Sequence, residues 1–199
     1  MRHQSFSAKL PPRKPRNSER RAREYLTPRE VEDLLRAARQ RGRYGHRDAT
    51  LLLLMYRHGL RVAEVICLRW EMLDLQAAVL HVRRVKNGVA TVHPLRGPEL
   101  RALRQLQHAA PGLAYVFLSE RGGPLTTRAV HHLVAQAGVA AALAFPVHPH
   151  MLRHACGFYL ANKGVDTRTL QQYLGHRNIQ HTVRYTELTP HRFQDFWED

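Results

Sequence analysis

The stretch AVLHVRRVKNGVATVH, residues 78–93, interrupts a chain that otherwise reads as helix. Its arms, Ala78–Val82 and Val89–His93, are rich in β-branched residues, which favour a pleated strand. Asn87-Gly88 between them is a strong hairpin signal, because both residues tolerate the positive φ angles of a type I′ turn. The stretch predicts a small antiparallel sheet with Lys86 at the hairpin tip.

Outward from this hairpin the apolar period returns to that of helices. Upstream, Thr27-Pro28-Arg29-Glu30 reads as a capping box with proline in the first turn. Val31, Leu34, Leu35 and Ala38 follow at helical spacing, and Gly42 ends the helix. A second helix is expected over 47–58, with Leu51, Leu52, Leu54 and Met55 buried and Gly59 just past its end. A third begins at once, with Val62, Val65, Ile66 and Leu68. Downstream, helices are expected over 98–108, from the Thr126 cap to Ala137, over 149–161, from the Asp166 cap to just before Gly175, over 178–186 and over 190–197. A short strand is expected at Val116–Leu118. The fold class is mainly α with a small antiparallel β-sheet (α+β), without internal repeats.

The 199 residues carry 31 Lys and Arg against 16 Asp and Glu, a formal charge of 31 − 16 = +15. An excess this one-sided points to a polyanionic partner, held by phosphate neutralisation and counterion release. Residues 1–24 concentrate eight of the basic residues and three prolines, with little that could enter a core. They read as a flexible basic arm, 1–24, ahead of one domain, 25–199. The longest apolar run, Leu51 to Met55, is too short to cross a membrane. The N-terminus lacks the apolar segment of a signal peptide. The two cysteines, Cys67 in an apolar helical run and Cys156, suit a reduced, cytoplasmic protein.

Chemistry-bearing residues gather in the last quarter, in HPHMLRHACG, LGHRN and HTVRYTEL. Phosphodiester chemistry without a metal needs cations for the non-bridging oxygens, a nucleophile, and an acid for the leaving oxygen. Arg153 suits the first task, because its fork binds two phosphate oxygens and stays charged. His150 lies three residues before it on the same helix face. Arg61, between a helix end and a helix start, has Glu64 one turn on to orient it. His176 follows Gly175, and Lys86 can reach a groove from a hairpin tip. Tyr185 is a weak nucleophile at its ordinary pKa of about 10, and neighbouring cations are expected to favour its phenolate.

Together these residues resemble the tyrosine recombinase (phage integrase) family. The matching strings are HGLRVAEV around Arg61, the hairpin lysine Lys86, H-x-x-R as His150 and Arg153, LGH at His176, and HTVRYT at Tyr185. YRHGLR, RRVKNGVATVHPLR and YLGHRNIQHTVRYT are similar to the small fimbrial phase-variation (Fim-type) DNA invertases. The resemblance covers about 25–190 and implies the catalytic-domain fold of that family, without a separate N-terminal core-binding domain. It implies that Arg61, Arg153 and His176 bind the scissile phosphate, that Lys86 is the general acid, and that His150 assists proton transfer. Tyr185 would form a 3′-phosphotyrosyl link without metal, ATP or other cofactor. The implied partners are double-stranded DNA with inverted-repeat sites, further copies of the chain in a tetramer on DNA (monomer or weak oligomer when free), and accessory DNA-bending proteins. The implied place of work is the bacterial nucleoid. The aromatic tail Phe193–Trp197 would dock on a neighbouring protomer or pack on its own core.

Three rivals remain at this level. His148, His150, His154 and Cys156 form a dense set of zinc-type ligands, although Cys156 leaves the helix face that His150 and His154 share. A non-cleaving DNA-binding regulator could keep the fold. A type IB topoisomerase would share the chemistry without site specificity.

Overall fold

The computed structural model describes residues 24–84 and 88–187. Lys86, residues 1–23 of the basic arm and the aromatic segment 193–197 lie outside the described residues. In chain order the elements are α1 Pro28–Arg39, α2 Gly45–Arg57, α3 Val62–Ile66, a 3-10 turn Trp70–Met72, β1 Leu73–Asp74, β2 Val79–Val82, β3 Thr91–Pro94, α4 Gly97–Ala109, α5 Thr127–Ala140, α6 Pro149–Asn162, α7 Thr167–Leu174 and α8 Gln180–Glu187.

Local chemistry accounts for most boundaries. Thr27 Oγ1 accepts from Glu30 N at 3.3 Å while Glu30 Oε2 accepts from Thr27 N at 2.8 Å, closing the expected capping box. Asp166 Oδ1 accepts from the amides of Arg168 and Thr169, both at 2.9 Å, and starts α7. Gly175 ends α7 in the left-handed conformation, φ +65°.

α2 is the central helix. Leu51, Leu52, Leu54 and Met55 are fully buried, because α1, α4 and α6 pack around it. Each such side chain contributes about 1.5–3 kcal/mol relative to exposure. A second apolar cluster of Cys156, Ala161, Leu170, Leu174 and Tyr185 lies between α6, α7 and α8. The nucleophile candidate therefore sits in packed hydrophobic surroundings.

The sheet is antiparallel in the order β1-β2-β3, so a short strand before the hairpin joins the two expected. The two arms of the expected hairpin pair, while Asn87 of the expected turn lies outside the described residues. Val82 pairs with Thr91, which leaves residues 83–90 as the connection. The ladder stops there because Arg84, on the inward side after Leu80 and Val82, turns into the pocket described below. Val116–Leu118 is not a strand. Isolated bridges, Arg69↔Tyr115 just before it and Leu118↔Pro124 at its end, take the place of a ladder, with Phe117 in the core. Cys67 caps the C-terminus of α3 and is exposed.

Candidate active site

Arg61 stands at the N-cap of α3, and Glu64 folds back from the third helical position. Glu64 Oε2 accepts from Arg61 N at 2.9 Å, and Oε1 accepts from Arg61 Nη1 at 2.8 Å. The oriented arginine expected from the spacing is thus formed, with its side chain 26% exposed. Burial opposes ionisation of Glu64, but the Arg84 charge and the hydrogen bonds from Arg61 outweigh it and hold the carboxyl below its ordinary value.

Arg84 is the residue that sequence reasoning missed. Its Nη1 donates to Glu64 Oε2 at 2.9 Å, and its Nη2 to the carbonyls of His58 at 3.1 Å and Tyr173 at 2.6 Å. Arg153, in the middle of α6, donates to the next carbonyl along in each loop, those of Gly59 and Leu174. Two buried guanidiniums therefore clip the α2–α3 junction to the C-terminus of α7. Gly59 is required at the crossing. Its φ is +56°, and a Cβ would stand 2.5 Å from Leu174 Cδ2. Burial lowers the Arg153 pKa to about 10, helped by Arg61 and Arg84, so it stays cationic at neutral pH. Three guanidiniums against one carboxylate leave 3 − 1 = +2 on this floor.

The imidazoles carry no such charge. Burial first, then Arg153 and Arg61, hold His176 to about 3. His176 Nδ1 lies 2.8 Å from Thr182 Oγ1, so when that hydroxyl donates, Nε2 bears the proton and can donate to an oxyanion. His150, in the first turn of α6, is on the exposed side, yet burial of its ring and then the charges of Arg153, His148, Arg184 and Arg61 lower it to about 4. A recess of about 300 Å³ opens beside Arg61 and His150.

Tyr185 is 1% exposed. Its ring lies near-parallel to His176, with centroids 6.4 Å apart, and packs against the Cα of Gly157, where a Cβ would be 2.8 Å away. Its hydroxyl lies 2.8 Å from Nδ1 of His154, not of His150. Burial raises its pKa, and the neighbouring cations Arg184 and Arg153 only partly offset this. Those cations favour the phenolate, as expected from the sequence, but desolvation outweighs them and the resting phenol keeps its proton.

Arg61, His150, Arg153, His176 and Tyr185 are thus brought together from α3, α6, the α7 end and α8. Among the described residues, no three His, Cys, Asp or Glu side chains converge as a metal site would require. Nor is any helix among them long and apolar enough to cross a membrane.

A dicationic floor, imidazole donors and a buried phenol on a mainly helical frame suit covalent chemistry at a phosphate. Residues 24–192 match the phage integrase family, and the chain belongs to it: it is a tyrosine recombinase, of an enzyme family that cleaves and rejoins DNA. It is similar to the type 1 fimbriae regulatory protein FimE of Escherichia coli K12, 44% identical over 182 residues, which covers 88% of this chain and 91% of the relative. FimB of the same strain is 41% identical over 186 residues, with 91% of this chain and 92% of the relative covered. The crystal structure of XerA recombinase superposes with a TM-score of 0.73 at 26% identity, covering 86% of this chain. This chain spans 63% of XerA, less than two thirds of that protein.

Proposed function

We propose that this chain is a site-specific DNA recombinase that inverts a promoter-bearing segment between inverted repeats and so switches fimbrial genes. The observation that carries the chemistry is the buried Tyr185 beside a floor on which three arginines face one carboxylate. Similarity to FimE and FimB over nine-tenths of their length supports the fimbrial role.

In this reading Arg61 and Arg153 take the non-bridging oxygens of the scissile phosphate, and His176 donates a hydrogen bond from Nε2. Attack by the Tyr185 oxygen on a phosphodiester produces a five-coordinate phosphorus carrying two negative charges. A floor of charge +2 matches that state better than the singly charged ground state, which is the condition for rate acceleration. The 5′ oxygen leaves with a proton from Lys86, and His150 assists removal of the phenolic proton. The 3′-phosphotyrosyl bond conserves the energy of the broken bond, so rejoining needs neither ATP nor a metal. Residues 25–199 form the catalytic domain, and the basic arm, 1–24, tracks the duplex. Strand exchange takes place in a tetramer on DNA, with accessory DNA-bending proteins, in the bacterial cytoplasm.

The test is covalent capture on a nicked suicide duplex. Tyr185→Phe is expected to lose the protein–DNA adduct while DNA binding persists, and wild-type adducts are expected to form in excess EDTA. An adduct of undiminished yield in Tyr185→Phe would sink the assignment.

A further inference from the structure

His154 follows Arg153 in the chain and lies one helical turn beyond His150 on the same face of α6. The family reading gives it no part in the reaction. It is 6% exposed, and the nucleophile's hydroxyl lies 2.8 Å from its Nδ1. Arg184, next to Tyr185 on α8, places Nη2 2.9 Å from both ring nitrogens. The His150 ring meets it edge-on with centroids 4.5 Å apart. The charged and titratable groups that face it are therefore Arg184 and Tyr185 from α8, His150 and Arg153 from its own helix, and His148 at the helix N-cap.

We propose that His154 is a positioning residue that holds the Tyr185 hydroxyl, protonated and shielded from water, until a DNA phosphate draws the oxygen away. The proposal rests on Tyr185 being the nucleophile. Three observations converge on it.

The hydroxyl has one proton to donate, and Nδ1 of His154 is placed to accept it. Burial first, then the Arg184 charge, hold the His154 pKa to about 2, so the ring is neutral and one of its nitrogens carries a lone pair that can accept. That same weakness bars it from acting as the base. Moving a proton from a phenol whose pKa burial raises to an imidazole whose pKa burial lowers is steeply unfavourable. His154 is thus an acceptor that stabilises the neutral phenol, not one that ionises it.

The second observation is closure. Tyr185 and Arg153 are each 1% exposed, so neither the nucleophile nor the floor arginine is open to a phosphate in this state. The third is fit. Gly157, one turn beyond Arg153, leaves room for the Tyr185 ring on the α6 surface, and Phe158 meets that ring edge-on at 5.1 Å. Helix α6 therefore carries a seat for the ring and an acceptor for its oxygen.

The test compares two polar substitutions of similar size in the full chain. In His154→Asn the side-chain oxygen falls near the position of Nδ1 and keeps the acceptor. In His154→Gln it falls near Nε2 and loses it. Two readings are taken. One is the rate at which tetranitromethane nitrates Tyr185 in DNA-free protein, followed by peptide mass. The other is the rate of adduct formation at saturating nicked duplex, carrying a site that wild-type protein has selected from random DNA. A hydrogen bond of ordinary net strength corresponds to about a fivefold opening equilibrium. His154→Gln is expected to raise both rates about fivefold without changing the DNA concentration at half-saturation, and His154→Asn to match wild type. Unchanged nitration of Tyr185 in His154→Gln overturns the proposal. So does adduct formation slower than or equal to wild type, because a holding residue retards the step it guards. Adducts in Tyr185→Phe would instead remove the nucleophile reading beneath it, so the two failures are distinguishable.

Discussion

Replacing Glu64 with glutamine tests the charge arrangement of the floor directly. The carboxylate is 2% exposed at its side chain and lies 2.9 Å from Arg84, whose side chain is fully buried, and 2.8 Å from the partly exposed Arg61. The amide keeps the volume but removes the charge, and it turns an NH2 group toward a guanidinium. At an effective dielectric of about 20, opposite charges 4 Å apart attract by about 4 kcal/mol. Breaking a buried pair from one side costs about 3–5 kcal/mol, because the remaining charge is stranded. The Arg61 contact adds little to this, since solvent screens it. For a domain of this size each kcal/mol lowers the melting temperature by about 2–4 °C, so the expected loss is roughly 6–20 °C. The floor also rises from +2 to +3. Added sulfate, an anion suited to the partly exposed Arg61 of the floor, should therefore recover more of the melting temperature in Glu64→Gln than in wild type. Thermal unfolding followed by circular dichroism, with and without sulfate, reads both effects. A variant that melts within a degree or two of wild type would show that Glu64 does not balance the buried arginines.

Three further outcomes are expected. Gly157→Ala puts a methyl 2.8 Å from the Tyr185 ring, an overpacking that costs about 1–3 kcal/mol, and an unchanged melting temperature would refute the placement of that ring. His93 and His154 are buried and held neutral, to about 3 and about 2 by burial first and then by neighbouring cations and imidazoles. The unfolded chain takes up protons below about pH 6.5 that the fold excludes, so stability falls with pH by up to about 1.4 kcal/mol per unit for each ring; equal urea midpoints at about pH 7.5 and about pH 5.5 would refute this. DNA affinity should fall steeply with salt, with a log–log slope of about −0.9 for each phosphate neutralised, and a flat plot would remove the polyanion reading of the +15 charge.

The parts legible in the sequence were those whose cause is local. Thr27 with Glu30 and Asp166 with its two following amides cap helices through side chains a few residues away, so their spacing alone located the ends of α1 and α7. Glu64 orienting Arg61 is local in the same sense. The hairpin arms were legible too, since β2 and β3 pair as their β-branched residues predict, whereas the point at which the ladder ends depends on a distant attraction. Arg84 leaves the ladder for Glu64 and for the Tyr173 carbonyl, 89 residues away. Its parity with Leu80 and Val82 was the available signal, since an arginine on the inward side of a strand calls for a buried partner. Tyr185 was picked out as the candidate nucleophile, and the pull of its neighbouring cations was foreseen, but not the burial that outweighs them. The cations beside it are evident from the chain, whereas the desolvation that outweighs them depends on Gly157, Phe158 and His176 meeting around the ring.

The paired arginine clip has a mechanical consequence. Arg84 and Arg153 tie the carbonyls of His58 and Gly59 to those of Tyr173 and Leu174, so α7 is riveted to the body of the molecule up to its last residue. Any movement that swings the phenol toward a phosphate must pivot beyond that rivet. The first backbone position past it is Gly175, whose left-handed conformation lets the chain change direction. Among the described residues the moving arm is thus α8, a lever of two helical turns, with α7 as its fixed mount.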